Sequence, residues 1–255
     1  MRRTAAALLA AAALATPRET LAEALTVAAA ADLKYALEGI VAAFRAENPG
    51  ADVKVSYGSS GSLYARIANG APFDLFFSAD ASYPRRLAES QLAVAESLTP
   101  YAVGRLALWV PNGSPLDVGA GLPALRDPRV RRIAIANPAH APYGRAAEAA
   151  LASAGLLDAV KPRLVLGEDA AQAAQFVESG NADAALLPLS LVLAPPLARE
   201  GRHAVVPGAL HAPIEQVVVV TSHGRGNPAA ALLRFVVGPE GRAILERWGL
   251  VRPGS

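Results

Sequence analysis

The stretch LTVAAAADLKYALEGIVAAFRAENPGADVKVSYGSSGSLYARIANGAPFDLFFSAD, residues 25–80, decides the fold because strand and helix patterns alternate along it. Leu25–Ala30 is a short apolar run typical of a buried strand, and apolar residues then recur at helical spacing over residues 33–44. Residues 53–57 alternate as a second strand does, and residues 73–77 indicate a third. The stretch therefore predicts a strand–helix–strand–helix–strand unit.

The same alternation continues to the end of the chain. Further strands are predicted at residues 105–110, 132–136, 163–166, 184–187, 203–206 and 217–221, with helices between or after them. This alternation favours an α/β fold with mostly parallel sheets, and the length favours two of them. Pro- and Gly-rich stretches near residues 99–104 and 207–213 are the predicted crossings between two lobes. We expect residues 25–101 and 211–255 to form lobe 1 and residues 102–210 to form lobe 2.

The composition excludes several classes of protein. The chain has 255 residues, of which 53% are hydrophobic and 18% charged, so it is globular rather than disordered. Its formal net charge of +2, without a basic cluster interleaved with aromatic residues, argues against nucleic-acid binding. It contains no cysteine, which excludes disulfides, thiolate metal sites, cysteine nucleophiles and a lipid-modified N-terminal cysteine.

The first 24 residues have the pattern of a secretory signal peptide. Arg2 and Arg3 are followed by an uninterrupted apolar run at residues 5–15, which is too short to span a bilayer. The small-x-small sequence at residues 22–24 is a suitable cleavage site. We therefore expect export to the periplasm or another extracytoplasmic space, with cleavage after Ala24.

Four predicted strand-to-helix loops are suited to binding an anion. They contain residues 31–32, 59–61, 141–144 and 168–170. Helix starts present N–H groups that lack acceptors, together with the positive end of the helix dipole. The residue types leave two roles open for each side chain: Ser60 is a helix cap or a donor to the anion, and Tyr143 is a core residue or a hydroxyl donor.

Five segments of the chain resemble the periplasmic molybdate-binding proteins of ABC transporters. They are AAADLKYALEGI (29–40), VSYGSSGSLYARIANGAPFDLFFSAD (55–80), IANPAHAPYGRAAEAAL (135–151), GEDAAQAAQFVESGNADAALLPLS (167–190) and VVGPEGRAILERWGL (236–250). The resemblance covers almost the whole chain from Leu25 onward. It implies a type II periplasmic-binding fold that holds molybdate or tungstate between two lobes. It further implies a membrane permease as partner, a monomeric state, no enzymatic activity and no cofactor.

The resemblance also implies which residues hold the oxyanion. Ser60 matches the hydroxyl donor of the family, Tyr143 lies in the matching Pro-rich loop, and Ala170 would offer its backbone N–H at the start of a later helix. The first loop contributes Asp32, with Ala31 beside it. All of these would contact the oxygens of the anion, so no residue is expected to bind the metal directly.

Two positions depart from the family pattern. Many members have Ser or Asn at the position of Asp32, and a carboxylate beside a dianion is unfavourable. Because Asp is a preferred helix cap, we expect its side chain to turn back onto its own helix and only its backbone N–H to face the ligand. The competing geometry is a protonated carboxyl that donates to the anion or accepts from a protonated phosphate. Some members donate a Tyr hydroxyl from the segment that holds Pro188, which lacks hydroxyl and N–H, so Tyr143 is the expected replacement.

The residues argue against two other functions and leave a third one open. A serine hydrolase would use Ser59 or Ser60, but their loop is not G-x-S-x-G, and the four histidines (His140, His203, His211 and His223) show no triad order. A ligand-sensing transcription regulator would carry a basic helix-turn-helix segment, which we do not find in the sequence. A binding protein for sulfate, phosphate or another oxyanion is the remaining alternative, because a sequence does not give cavity size.

Overall fold

The computed structural model describes residues 24–224 and 226–254. The predicted signal peptide falls on residues that lie outside these ranges, except for Ala24 at its end. Among the described helices, none has the length and apolar character needed to cross a membrane.

Strands and helices alternate along the described part of the chain, as the sequence predicted. The strands are β1 (Leu25–Ala30), β2 (Val53–Gly58), β3 (Leu75–Ser78), β4 (Thr99–Gly104), β5 (Leu106–Pro111), β6 (Ile133–Ala136), β7 (Leu164–Gly167), β8 (Ala184–Pro188), β9 (Gly201–Val205) and β10 (Ile214–Val220). The helices are α1 (Lys34–Glu47), α2 (Ser60–Ala68), α3 (Ser82–Glu89), α4 (Pro142–Ser153), α5 (Leu157–Val160), α6 (Ala170–Glu178), α7 (Leu189–Val192), α8 (Leu197–Glu200), α9 (Asn227–Val237) and α10 (Pro239–Arg247).

The strands form two five-stranded sheets, one in each lobe. The first sheet has the order β2-β1-β3-β10-β4 and the second has the order β7-β6-β8-β5-β9. In each sheet four strands run in one direction, and a single strand, β10 or β5, runs antiparallel to both neighbours. The prediction of a two-lobed α/β fold with mostly parallel sheets is confirmed, and the reversed strands lie next to the crossings between the lobes.

The first crossing is shorter than the sequence suggested. Residues 99–104, predicted to be that crossing, form strand β4 instead, which runs past the predicted lobe boundary at residue 101 and pairs with β10 as far as Gly104. The chain then passes to the second sheet through Arg105, whose Nε donates to the carbonyl of Gly249 at 2.9 Å. The residues of β4 form a strand because their backbone groups hydrogen-bond to β10. This pairing joins distant parts of the chain, so the local composition does not reveal it. The second crossing, between β9 and β10, contains a short 3-10 helix, Gly208–Leu210.

Each sheet is covered by helices on both faces. In lobe 1, α1, α9 and α10 pack on one face, while α2 and α3 pack on the other. In lobe 2, α4 and α5 cover one face, and α6 and α7 cover the opposite one. Because the parallel strands β1, β2, β6 and β7 end at the facing edges of the two sheets, the helices that follow them begin beside the cleft.

Candidate functional site

A small cavity lies between the lobes, where the predicted loops meet. Its volume is about 10 Å³. The lining contains all five residues singled out from the sequence, together with six neighbours: Ala30, Ala31, Asp32, Gly58, Ser59, Ser60, Ala79, Ala141, Pro142, Tyr143 and Ala170. Both lobes therefore contribute to one site, because residues before 80 belong to the first sheet and its helices and residues after 140 belong to the second.

The cavity is built from the starts of four helices. Ala31 begins a short 3-10 helix that leads into α1, Ser60 is the first residue of α2, and Ala170 is the first residue of α6. Tyr143 is the second residue of α4. N–H groups in the first turn of a helix have no acceptor inside it, and the helix dipole adds partial positive charge there. Four such ends around one cavity suit an anion with several oxygens.

Ser60 lines this cavity with its side-chain hydroxyl. Its side chain is fully buried, and its Oγ accepts from the backbone N–H of Ala79 at 2.9 Å. A hydroxyl that accepts in this way keeps its own proton for another acceptor. The helix cap of α2 is Ser59, whose Oγ accepts from the N–H of Ser62 at 3.2 Å. Of the two roles left open for Ser60, the capping role thus belongs to its neighbour.

Asp32 does not cap its own helix, and this prediction is wrong. The chain leaves β1 through the 3-10 helix Ala31–Leu33, so α1 begins only at Lys34 and has no side-chain cap. The Asp32 carboxylate instead accepts through Oδ2 from Nε2 of Gln216 at 2.6 Å and from the hydroxyl of Tyr143 at 3.2 Å. The carboxylate of Asp32 therefore accepts from buried donors on β10 and α4, and not from N–H groups in the first turn of its own helix.

The environment of Asp32 favours its neutral form. The residue is 2% exposed, and this burial raises the pKa of its carboxyl from 3.8 to about 7. Hydrogen bonds from Gln216, from Tyr143 and from the backbone N–H of Asp32 lower the pKa, but by less than burial raises it. The group therefore titrates near neutral pH.

The hydroxyl of Tyr143 is engaged inside the protein. It donates to Asp32 and accepts from Nε2 of Gln216 at 3.2 Å, and the ring is buried. The hydroxyl proton is thereby directed at a carboxylate, and the backbone N–H of Tyr143, in the first turn of α4, is the group left to face an anion. Pro188 ends β8 and is not among the described residues that line the cavity. Tyr143 is therefore not free to replace a missing hydroxyl donor in this arrangement.

Gln216 is the residue of this site that sequence reasoning missed. It lies in β10, fully buried, and its Oε1 accepts from the hydroxyl of Tyr101 at 2.5 Å. Its Nε2 contacts both Asp32 and Tyr143, so this one amide connects the two lobes and two neighbouring strands of the first sheet. The sequence did contain a signal for Gln216, since it is an amide inside the otherwise apolar end of the strand IEQVVVV. A buried polar side chain requires hydrogen-bond partners, so such a residue points to a polar site nearby.

The mouth of the cleft is closed by direct contacts between the lobes. The backbone N–H of Gly61 in α2 donates to the carbonyl of His140 at 2.9 Å. The Oγ of Ser59 lies 2.9 Å from Nδ1 of His140. Since His140 belongs to the loop before α4, these contacts hold the start of α2 against lobe 2.

Two further polar pairs bridge the lobes. The Oγ of Ser62 donates to Oε1 of Glu168 at 3.1 Å, and Nη2 of Arg145 donates to Oδ2 of Asp80 at 2.5 Å. Both pairs are partly exposed, so each adds little energy by itself, but together they define a closed arrangement of the lobes. The structure thus shows the cleft shut over the cavity.

The chemistry of this site is that of an anion receptor. Its donors are backbone N–H groups and hydroxyls, and across residues 24–224 and 226–254 no group of three or more His, Asp or Glu side chains could hold a metal ion. Two lobes that close over a cavity of helix starts define the class of solute-binding proteins with a ligand cleft between domains.

The chain belongs to the family of bacterial extracellular solute-binding proteins, whose model matches residues 25–251. It is 39% identical over 225 residues to the molybdate-binding protein ModA of Azotobacter vinelandii, covering 88% of each chain. It is 30% identical over 233 residues to ModA of Escherichia coli, again covering 88% of each. The proteins of this family are solute-binding proteins, which supports the prediction that the chain is not an enzyme and needs no cofactor.

Solved structures agree with this assignment. The periplasmic molybdate-binding protein of Azotobacter vinelandii superposes with a TM-score of 0.84 at 34% identity, covering 90% of this chain and 99% of that one. The sulfate-binding protein SubI of Mycobacterium tuberculosis superposes with a TM-score of 0.75 at 15% identity, covering 91% and 87%. At 15% identity, the similarity to SubI shows a shared fold and nothing more.

Proposed function

We propose that this protein binds molybdate, and tungstate as its close analogue, and delivers it to the membrane permease of an ABC importer. The observation that carries the proposal is the convergence of four helix starts on a cavity without a cationic side chain. A fully ionised oxyanion has only acceptors to offer, and N–H and hydroxyl donors satisfy it without added positive charge. The names of the relatives at 39% and 30% identity support molybdate as the ligand.

The positions of the helix starts support a set of contacts to the anion. We propose that Ser60 donates through its hydroxyl and that Tyr143 and Ala170 donate through their backbone N–H groups. Asp32 and Ala31 supply the first loop of the site. We propose that the protein acts as a monomer of two lobes, residues 25–104 with 211–255 and residues 106–210, and that the bound anion bridges them.

Ligand identity is tested by isothermal titration of the protein with molybdate, tungstate, sulfate and phosphate in a buffer free of oxyanions. We expect molybdate and tungstate to bind tightly, and to raise the melting temperature because they bind only the folded state. Sulfate and phosphate should bind far more weakly at matched concentration. Equal binding of sulfate or phosphate would refute the assignment to molybdate.

Replacing Ser60 with Ala tests the hydroxyl donor. The change removes one hydrogen bond to a charged acceptor, so molybdate affinity should fall by roughly 1.5–3 kcal/mol, or about 10- to 150-fold. The matched control is Ser153→Ala, at an exposed position near the end of α4. Wild-type affinity in the Ser60 variant, measured by the same titration, would show that its hydroxyl does not reach the anion.

Export is a separate prediction, which rests on residues 1–24. We propose a periplasmic location, with cleavage between Ala24 and Leu25, which is the first residue of β1. Mass spectrometry of the protein recovered from the periplasm should give a mature chain that begins at Leu25. A recovered chain that still begins at Met1 would contradict this prediction.

A further inference from the structure

The cavity contains one ionisable carboxyl and no positive charge to balance it. Apart from Asp32 and the neutral phenol of Tyr143, its lining consists of Ala, Gly, Ser and Pro residues. An ionised Asp32 beside a dianion would place three negative charges in one closed cavity. Charges at such separations repel strongly when little water lies between them, and burying an unbalanced charge is costly.

The two oxygens of Asp32 are not equivalent. Oδ2 accepts from Gln216 and from Tyr143, whereas buried Oδ1 accepts no hydrogen bond from another residue among those described. A proton on the carboxyl is therefore best placed on Oδ1, because Oδ2 already faces two donors. Once protonated, Oδ1 becomes a donor that lacks an acceptor in the protein.

The groups around Asp32 do not neutralise it. The phenols of Tyr143 and Tyr101 stay protonated because burial, and next the charge of Asp32, raises the pKa of each well above its ordinary value. From α7, Ser190 donates to the backbone carbonyl of Asp32 and leaves the carboxyl untouched.

The charged side chains at the nearby helix starts contact groups other than the Asp32 carboxyl. Lys34 of α1 lies over the ring of Tyr35, and Asp169 caps α6 through the N–H of Gln172. The partners of Glu168 are Ser62 and His140, at the mouth of the cleft. Within the described part of the chain, none of these charged groups hydrogen-bonds to the Asp32 carboxyl, whose partners are Tyr143 and Gln216.

We propose that Asp32 is a specificity-determining residue that binds the oxyanion as a neutral acid and donates from Oδ1, so that, wherever the ligand-free carboxyl is ionised, each anion enters together with one proton. This inference rests on the proposed function and deepens it. The proton comes from solvent, no covalent bond to the anion changes, and the carboxyl loses the proton again when the anion leaves. The site then prefers fully ionised oxyanions, which accept at every oxygen, over those that carry a proton at neutral pH.

The proposal sets the pH dependence of binding. In this closed arrangement without an anion, burial raises the pKa of Asp32 to about 7, so the carboxyl is mostly protonated near pH 6 and mostly ionised near pH 8.5. Binding at the higher pH should take up close to one proton, and binding near pH 6 should take up about a tenth of one. The dissociation constant should accordingly rise by nearly tenfold per pH unit above pH 7.5 or so.

The test is calorimetric titration of the full mature protein with sodium molybdate near pH 6 and pH 8.5. Each titration is done in two buffers that differ in ionisation enthalpy, because the difference in heat counts the protons exchanged. Asp32→Asn carries a permanent amide donor, so we expect it to bind molybdate without proton uptake and with a flat pH profile. Asp158→Asn, at an exposed position of α5, is the matched control and should keep the wild-type profile.

The outcomes separate the two proposals. Tight molybdate binding by the wild type at pH 8.5 without proton uptake, or a wild-type pH slope in Asp32→Asn, overturns this inference and leaves the proposed function intact. Tighter binding of phosphate than of molybdate without proton uptake also overturns it, because Asp32 would then act as an acceptor. No binding of molybdate by the folded wild type at either pH refutes the proposed function itself.

Discussion

Replacing Gly61 with Ala should abolish tight binding of molybdate while both lobes stay folded. A Cβ at this position would lie 2.7 Å from the carbonyl oxygen of His140, 2.8 Å from its Cβ and 2.8 Å from the hydroxyl of Tyr83. His140 belongs to the other lobe, and its backbone cannot move aside while the cleft is closed. The hydroxyl of Tyr83, at the end of a side chain in the same lobe, can shift aside, but the contact with His140 is relieved when the lobes open, which separates the two halves of the binding site.

The size of this effect follows from the cost of preventing closure. A ligand held by both lobes binds in proportion to the population of the closed state, so we expect affinity to fall at least a hundredfold, or roughly 2.7 kcal/mol. Titration calorimetry measures the loss, and small-angle scattering should show that molybdate no longer reduces the radius of gyration. Gly50→Ala is the control, since a Cβ there has no atom within 4 Å. Wild-type affinity in Gly61→Ala would mean that binding does not require this closed arrangement.

Asp32→Asn should make the ligand-free protein more stable near pH 8. The folded-state pKa of Asp32 is raised from 3.8 to about 7, so between these values the folded chain holds a proton that the unfolded chain has released. The free energy of unfolding of the wild type therefore falls as pH rises from about 4 to 7, and it levels off above that range. A pKa difference of about three units corresponds to a loss on the order of 4 kcal/mol in the free energy of unfolding of the wild type. Asp32→Asn does not lose this stability because its amide stays neutral.

Urea unfolding of the ligand-free wild type and of Asp32→Asn at pH 5 and pH 8 measures this effect. The free energy of unfolding of Asp32→Asn should exceed that of the wild type by several times more at pH 8 than at pH 5. Asp158→Asn serves again as the control, because Asp158 is exposed and its replacement removes no buried carboxyl. A stability difference that is equal at the two pH values would show that Asp32 does not titrate in this range.

Much of the fold could be predicted because its signals are local. The apolar run of β1 and the helical spacing over residues 33–44 each lie within a short stretch of chain, and each matches the structure. Glycine just after a helix is also a local signal: Gly155, which follows α4, adopts a φ of +65° that only glycine reaches easily. The same locality placed Ser60 and Ala170 at helix starts.

The features that sequence reasoning misplaced depend on contacts between distant residues. The carboxyl of Asp32 bonds to Gln216 and Tyr143, which lie far along the chain, and no local pattern reports where a buried donor will be. A helix cap was the reasonable local expectation, but a single 3-10 turn shifted the start of α1 and turned the carboxyl inward. Strand β4 was missed in the same way, because its partner β10 follows more than a hundred residues later.

The first sheet cannot be completed until the end of the chain has been made, because β10 lies between β3 and β4. The five strands of the second sheet come from one continuous stretch, β5 to β9, and can associate earlier. Pairing of Phe76 with Val219 requires closing a very long loop, which slows assembly. During synthesis the chain therefore carries an unfinished lobe, and the cavity, which needs both lobes, is the last part of the molecule to exist.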